Sequence, residues 1–147
     1  MNKTNLLAAY LFLPVLFLFT LSGYSQTTEP WTARDLMEPA ALAATLNNPG
    51  AQKPVIFNIG PMANIEGAIT IGSTQSQSNL DKMTKELAKV PKDKTVVIYC
   101  GCCPFRNCPN IRPAFKLLKE KGYTKAKLLN LKQNLKVDWT DYGYPME

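Results

Sequence analysis

The sequence predicts an α/β fold in which helices cover both faces of a central parallel sheet. Segments typical of strands alternate with segments typical of helices along the chain. The strand segments at residues 54–59 and 95–99 are almost continuously apolar, which is typical of strands buried on both sides. In sheets of this kind, ligands bind at the carboxyl ends of the strands.

The elements follow one another along the chain with short connections. A helix is expected at residues 33–46 with Thr32 as its N-cap, and another at residues 80–90, where apolar side chains recur at helical spacing. A third helix should begin after Asn110, acting as its cap, and end at Gly122. The expected strands cover residues 54–59, 95–99 and 126–131, and residues 65–71 are expected to hold a turn and a short strand.

The start of the chain has the features of a secretory signal peptide. An apolar run at residues 6–21 is followed by small residues and then by a polar stretch. The alternative is a retained membrane anchor, because the run is about long enough to span a bilayer. We expect a cleaved signal peptide at 1–25, a short linker at 26–30 and a single domain at 31–147. The mature protein should be periplasmic or secreted, with no stable membrane insertion after cleavage.

Composition limits the chemistry and the partners. The chain has 147 residues and a net charge of +6, and lysines on the helical segments account for much of that charge. We interpret them as a solvated basic face, and nucleic acid is not expected as a partner of an exported protein. The chain has no histidine, which removes the commonest general base and the commonest metal ligand.

All four cysteines lie within nine residues, directly after the strand segment at 95–99. They are Cys100, Cys102, Cys103 and Cys108. Disulfides that close such short loops remove little entropy from the unfolded chain, so stabilisation is a poor reason for the cluster. Cys100 should lie at the carboxyl end of a central strand and face the amino end of the next helix. This position can lower the pKa of a thiol and make it reactive.

The other residues of the loop leave several roles open. Arg106 is a fixed cation suited to binding an oxyanion, with a solvated loop arginine as the alternative. Three further roles are open to the remaining thiols: resolving an oxidised or persulfidated Cys100, binding Cu(I) or Zn(II) together with Cys100, and forming a local disulfide. If a disulfide forms, we expect Cys100 or Cys103 to pair with Cys108, since adjacent cysteines make a strained bond.

Several segments together resemble a single-domain rhodanese. Residues 63–69, Ala-Asn-Ile-Glu-Gly-Ala-Ile, resemble the Gly-His-Ile-Pro-Gly-Ala-Ile signature of that family, and residues 96–100, Val-Val-Ile-Tyr-Cys, are similar to the strand that delivers its persulfide-forming cysteine. The start at residues 31–36, Trp-Thr-Ala-Arg-Asp-Leu, and the ending with Trp139 and residues 143–147 are also similar. The resemblance implies a parallel sheet of about five strands and a catalytic Cys100 whose persulfide is held by backbone N–H groups of the loop from Gly101 onward.

The chain also departs from the family pattern. Asn58, Gly60 and Asn64 stand where the family has aspartate, arginine and histidine. The loop runs Cys-x5-Arg to Arg106 rather than Cys-x4-Arg, and it is rich in cysteine. This spacing also occurs in rhodanese-fold phosphatases, but those have a histidine before the cysteine where this chain has Tyr99, so a phosphatase is the less favoured interpretation.

The sequence thus predicts an exported sulfurtransferase that moves sulfane sulfur through a persulfide on Cys100. Its partners would be a small sulfur-containing anion, bound by Arg106 and Gly101, and a thiol acceptor. No cofactor is expected. The alternatives that use the same cysteines are a soft-metal site and a dithiol–disulfide redox module.

Overall fold

The structure, a computed structural model, describes residues 29–147. The predicted signal peptide at 1–25 and most of the linker at 26–30 lie outside the described residues. Within them, no helix is both long and apolar enough to cross a membrane.

Five parallel strands form one sheet, as the sequence predicts. The strands are β1 (Leu36–Met37), β2 (Val55–Asn58), β3 (Ala68–Thr70), β4 (Val96–Tyr99) and β5 (Ala126–Leu129). Their order across the sheet is β1-β5-β4-β2-β3, so β4 is the central strand. In the register of the sheet, Asn58 of β2 lies beside Tyr99 of β4, and Ile98 of β4 lies beside Leu128 of β5.

Residues 29–147 contain four α-helices, of which the first three connect strands and the fourth follows β5. They are α1 (Pro39–Asn47), α2 (Gln77–Leu87), α3 (Ile111–Glu120) and α4 (Leu135–Asp138). Three short 3-10 helices lie at Ala33–Asp35, Phe105–Asn107 and Thr140–Tyr142. Gly122 ends α3 with a positive φ of 80°, a backbone conformation that glycine adopts without steric cost.

The sheet separates two hydrophobic cores. Alternate residues of β4 point to opposite faces, so Val96 and Ile98 pack with α2 and α3, whereas Val97 and Tyr99 pack with α1 and α4. Cys100 continues this alternation and belongs to the α2–α3 core. The fold therefore directs the first cysteine of the loop toward the helix that follows the loop.

The predicted first helix at residues 33–46 was wrong in its first turns. Ala33–Asp35 is a 3-10 helix, Leu36–Met37 is the edge strand β1, and α1 begins only at Pro39. A residue before proline disfavours the helical conformation, and Glu38 is extended with φ −71° and ψ 142°. Thr32 stabilises the 3-10 turn, where its backbone N–H donates to the Asp35 carboxylate at 2.8 Å.

Smaller differences occur at other element ends. Helix α2 covers residues 77–87 rather than 80–90, and β5 ends at Leu129 rather than at residue 131. The backbone N–H of Asn130 donates to the Met37 carbonyl, which continues the β1–β5 contact beyond the strand. The short helix α4 was not predicted, and it begins where the Asn134 side chain accepts a hydrogen bond from the Val137 N–H.

Candidate active site

Cys100 is the first residue after the central strand. The strands on either side, β5 and β2, both end near it, and the loop of residues 100–110 leads from it into α3. Its side chain is buried, with 2% of the residue exposed. The structure thus places Cys100 at the carboxyl edge of the sheet, where parallel folds bind their ligands.

The loop after β2 packs directly against the backbone of Cys100. A Cβ atom added at Gly60 would lie 2.1 Å from the carbonyl oxygen of Cys100 and 2.7 Å from its sulfur. Real Cβ atoms do not approach backbone atoms so closely. Gly60, which stands where the resembled family has an arginine, is therefore the residue that lets the two loops meet.

Three sulfur atoms form a compact group. The Sγ atoms of Cys100, Cys102 and Cys108 all lie within 4.8 Å of one another, and those of Cys100 and Cys102 are 3.3 Å apart. Cys103 touches the edge of this group, with its Sγ 3.4 Å from that of Cys102. Cys108 is fully buried, Cys102 is exposed, and Cys103 is intermediate.

All four cysteines are free thiols in the structure. The sequence favoured Cys108 as the partner in any disulfide. In the described region, Cys102 contacts the sulfurs of Cys100 and Cys103 at 3.3 and 3.4 Å, and Cys108 lies in the same compact group as Cys100.

Asn110 connects the sulfur of Cys100 to two other segments of the chain, at Ile59 and at residues 73–74. Its side-chain Nδ2 donates to the Ile59 carbonyl at 2.8 Å and lies 3.4 Å from the Cys100 sulfur. Its Oδ1 accepts from the Ser73 hydroxyl, and its backbone carbonyl accepts from the Thr74 hydroxyl. The sequence identified Asn110 only as the N-cap of α3. It does occupy that position, but its side chain makes no cap hydrogen bond and turns to the sulfur instead.

The thiols of the group have divergent pKa values. The pKa of Cys100 is lowered to about 5, chiefly because the Cys108 thiol donates a hydrogen bond to its sulfur. The Cys102 thiol, the Asn110 amide and the backbone N–H of Cys102 act in the same direction, and burial opposes them. Cys100 is therefore a thiolate at neutral pH, although no imidazole is present to activate it.

The neighbouring thiols stay protonated. Hydrogen bonding to Cys100 and burial raise the pKa of Cys108 well above that of a free thiol. Partial loss of solvent around the sulfur and contact with Cys100 raise the pKa of Cys102 to about 12, although the residue as a whole is exposed. One nucleophile and two thiol donors thus share the cluster, which could also hold a thiophilic metal once all three had lost their protons.

Three of the loop's backbone N–H groups donate to carbonyl oxygens rather than to the sulfur. The N–H groups of Phe105, Asn107 and Cys108 donate to the carbonyls of Leu131, Pro104 and Phe105 respectively. The Cys102 N–H does contribute to the lowered pKa of Cys100. Side-chain donors thus supply much of the stabilisation that was expected from the backbone.

Gly101 and Arg106 occupy different surroundings. Gly101 has a φ of 81°, its carbonyl accepts from the Leu135 N–H at 2.8 Å, and an added Cβ would lie 3.0 Å from the Leu135 Cβ. Arg106 lines an adjacent cavity of about 320 Å³ together with Phe105, Asn130, Lys132 and Pro104. The four cysteines do not belong to the lining of that cavity.

A network of neutral amides holds the loop after β2. The Asn58 side chain is buried, donates to the Met62 carbonyl at 2.7 Å and to the Asn64 Oδ1 at 3.0 Å, and accepts from the Gly60 N–H. The Asn64 amide in turn donates to the Glu147 carboxylate at 2.8 Å. The positions where the resembled family has charged or titratable side chains therefore have a structural role in this chain.

Sequence reasoning missed two residues that position the thiol, Asn110 and Gly60. A polar Asn-rich loop gave no direct signal that Asn110 turns inward to the sulfur. Gly60 directly follows the apolar strand segment at 54–59 in the sequence, and a glycine at such a position often marks a close approach of another backbone. This signal could have identified the contact.

The five-stranded parallel sheet covered by helices is an α/β fold, and its structural likeness to known proteins makes it a rhodanese-like one. The structure is similar to that of wild-type EanB, with a TM-score of 0.56 and 18% identity over 78% of this chain and 27% of that one. It also matches SSP1007 from Staphylococcus saprophyticus, with a TM-score of 0.45 and 14% identity over 69% of this chain and 89% of that one.

At these identities the likeness concerns the fold alone, and this chain corresponds to only 27% of the length of EanB. No protein-family model matches the sequence, and no curated protein matches it at a significant level. The grouped cysteines at the carboxyl edge of the sheet indicate a site for thiol chemistry.

Proposed function

We propose that this protein is an exported sulfurtransferase that moves sulfane sulfur through a persulfide on Cys100. The observation that supports this most directly is the position of Cys100 at the carboxyl end of the central strand of a rhodanese-like fold, among hydrogen-bond donors that lower the pKa of its thiol. Export rests on the signal-like sequence at residues 1–25. A periplasmic or extracellular setting would supply small sulfur anions and thiols as substrates.

The proposed first step is a nucleophilic substitution at sulfur. The Cys100 thiolate attacks the outer sulfur of thiosulfate, a new S–S bond forms, the old S–S bond breaks, and sulfite leaves with its electron pair. The product is a Cys100 persulfide anion. The Asn110 amide, at 3.4 Å, and the Cys108 thiol are placed to stabilise the inner sulfur throughout.

The second step returns the sulfur to an acceptor. An acceptor thiolate attacks the outer sulfur of the persulfide, becomes a persulfide itself and releases Cys100 as a thiolate, or sulfite attacks and regenerates thiosulfate. Cys102 is the candidate internal acceptor because its sulfur is 3.3 Å from that of Cys100 and the residue is exposed. Cys108 is too buried to meet an external partner.

Anionic donors would bind on the cationic side of the loop. Arg106 and Lys132 both line the cavity next to the loop, and two cations there would attract a doubly charged sulfur anion. Gly101, whose backbone is fixed between Met62 and Leu135, would hold the start of the loop in place while the donor reacts. No cofactor takes part in either step.

Mass spectrometry after thiosulfate treatment tests this function. We expect one added sulfur, about 32 Da, on the peptide that contains Cys100, and its removal by a small thiol. Cys100→Ser should abolish the adduct, whereas Cys103→Ser, which changes the neighbouring thiol outside the compact group, should retain it. An unmodified wild-type protein, or an adduct that persists in Cys100→Ser, would refute the proposal.

A second candidate is dithiol–disulfide exchange. The 3.3 Å between the Cys100 and Cys102 sulfurs favours it, because a small movement would bring them to bonding distance of about 2.05 Å. A redox titration with a thiol–disulfide buffer should then show one reversible pair that Cys102→Ser removes. Absence of a reversible pair near the potential of the compartment would exclude this function and leave sulfur transfer untouched.

A further inference from the structure

The same cluster has a property that sulfur transfer does not require, namely three converging thiols. Persulfide chemistry needs one nucleophile and at most one accepting thiol, but Cys100, Cys102 and Cys108 come from both ends of the loop and bring three sulfur atoms together. Cys108 in particular is fully buried and unavailable to an external acceptor. Cys108 donates to Cys100, and its inward orientation also brings a third sulfur within 4.8 Å of the other two, which is the arrangement that a shared ligand would need.

We propose that Cys100, Cys102 and Cys108 form a three-coordinate site for a soft monovalent metal ion, with Cu(I) as its best match. The Cys103 side chain would remain outside the coordination sphere.

The sulfur spacing suits such a site. Three sulfurs at about 2.3 Å from a central metal lie roughly 4 Å apart in a trigonal plane. The observed spacing runs from 3.3 Å between Cys100 and Cys102 to at most 4.8 Å across the group. Side-chain shifts below about 1 Å would therefore bring the three sulfurs to coordination distance.

The donor set selects against zinc. Structural zinc sites are tetrahedral with four ligands, usually cysteine and histidine. The chain has no histidine, and the group of converging donors found among residues 29–147 contains no carboxylate. The compact group offers three thiolates, with Cys103 outside it, and three thiolates suit Cu(I), a soft ion that prefers thiolate ligands.

The surroundings would offset the charge of a metal–thiolate centre. The Asn110 side chain and the Cys102 N–H donate toward the Cys100 sulfur, and the backbone N–H of Asn110 donates toward Cys108. The amino end of α3, a helix of 10 residues, follows at once, and its dipole favours negative charge there. Such N–H donors to the ligating atoms orient them and tune the site.

The exposed Cys102 provides the route by which a metal reaches the buried pair. Cu(I) would first meet Cys102 at the surface and then pass to Cys100 and Cys108 beneath it. Coordination would displace the remaining thiol protons into solvent, and no electron transfer is involved. A bound metal would also occupy the Cys100 lone pairs, so metal-loaded protein should be unable to accept sulfur.

Competition with a chromophoric Cu(I) chelator, on the reduced mature chain without oxygen, tests the site. We expect the wild type to bind one Cu(I) per chain. Cys102→Ser and Cys108→Ser should each lower the affinity for Cu(I) at least about 100-fold, because even the loss of hydrogen bonds that support a ligand lowers metal affinity by about 10–100-fold. Cys103→Ser is the matched control and should bind within about 3-fold of the wild type. Circular dichroism checks that each variant is folded. If the buried Cys108→Ser variant does not fold, Cys102→Ser, which changes an exposed residue, still tests the site.

The outcomes separate this site from sulfur transfer. No competition with the chelator, or an equal loss of affinity in Cys103→Ser and Cys102→Ser, would overturn the three-thiol site. Zn(II) bound as tightly as Cu(I) would overturn its selectivity. None of these measurements involves a sulfur donor, and the persulfide assay uses metal-free protein, so either proposal can fail while the other stands.

Discussion

The loops that follow β4 and β2 leave the same edge of the sheet side by side, but they differ in chemistry. The loop after β4 gathers thiols of which one is ionised, whereas the loop after β2 is held by neutral amides from Asn58 and Asn64. Both are tightly hydrogen-bonded, so bonding alone does not distinguish a reactive loop from a structural one. The difference is that the loop after β4 directs some of its donors, including the Asn110 amide, at a sulfur atom, whereas the Asn58 and Asn64 amides after β2 donate to oxygen atoms.

The contact between the two loops should be the most sensitive point. Gly60→Ala places a Cβ 2.1 Å from the Cys100 carbonyl oxygen, a backbone atom that cannot turn away. We expect the free energy of unfolding to fall by about 3 kcal/mol or more, at the upper end of overpacking effects, as measured by urea denaturation. Gly50→Ala is the control, because its nearest neighbour is an ordinary 3.5 Å away, and equal losses in the two variants would contradict the close approach.

Cys108 should have the largest influence on the ionisation of Cys100. Cys108→Ala removes the main hydrogen bond that lowers the pKa of Cys100, whereas Cys108→Ser retains a donor of similar size. We expect the pKa of Cys100, followed as thiolate absorbance in the ultraviolet, to rise from about 5 by roughly two pH units in the alanine variant and by less in the serine variant.

The same ionisation links stability to pH. Because the folded-state pKa of Cys100 lies below the value of about 8.5 for a free thiol, its ionisation contributes stability that is complete above that pH and is lost as the pH falls through about 5. Cys108→Ala should flatten this dependence between pH 5 and 8.5. An unchanged titration curve in the alanine variant would show that Cys108 does not donate to Cys100.

Asn110 should have a smaller effect on ionisation and a clear effect on stability. Asn110→Ala removes one of the weaker contributions to the low pKa of Cys100 and leaves the Ile59 carbonyl and the Ser73 hydroxyl without their partner. We expect a modest rise in the pKa of Cys100 and a loss of about 1–2 kcal/mol in chemical denaturation. A loss of stability with no change in the ultraviolet titration would reduce Asn110 to a purely structural residue.

Asn64 should show the smallest effect and serves as the counterpart of Asn110. Its amide links Asn58, Thr70 and Glu147 at the same edge of the sheet but makes no contact with sulfur. Asn64→Ala should lower the free energy of unfolding by about 1 kcal/mol or less and leave the pKa of Cys100 unchanged. A shift in the pKa of Cys100 would mean that the two loops are electrostatically coupled. It would contradict the distinction between a reactive loop after β4 and a structural loop after β2.

Much of the fold could be predicted because it depends on local patterns. The apolar runs that became β2 and β4, the helix before Gly122 and the position of Cys100 follow from burial and turn chemistry that the sequence displays. The edge strand β1 could not be found this way. Leu36 and Met37 are extended partly because Pro39 delays the start of the helix, which the sequence shows. They are also extended because they pair with β5, and the sequence gives no sign of that pairing.

The site was predictable only in part, for a physical reason. The sequence identifies which thiols are close along the chain, but the choice of Cys108 over Cys103 as the buried partner depends on how the loop folds back through the 3-10 helix at Phe105–Asn107. The inward turn of Asn110 likewise depends on Ser73 and Thr74, which are distant in sequence. Tertiary contacts of this kind leave no periodic signal.

The alternation of β4 between two cores has a consequence for insertions and deletions. Removing or adding one residue between Val96 and Tyr99 would exchange the two faces, so that Tyr99, whose hydroxyl accepts from the Ile65 N–H, would turn toward α3 and the thiol would turn toward α1. The number of residues in this strand therefore fixes which core receives the sulfur. We expect β4 to tolerate changes of residue type far better than any change of length.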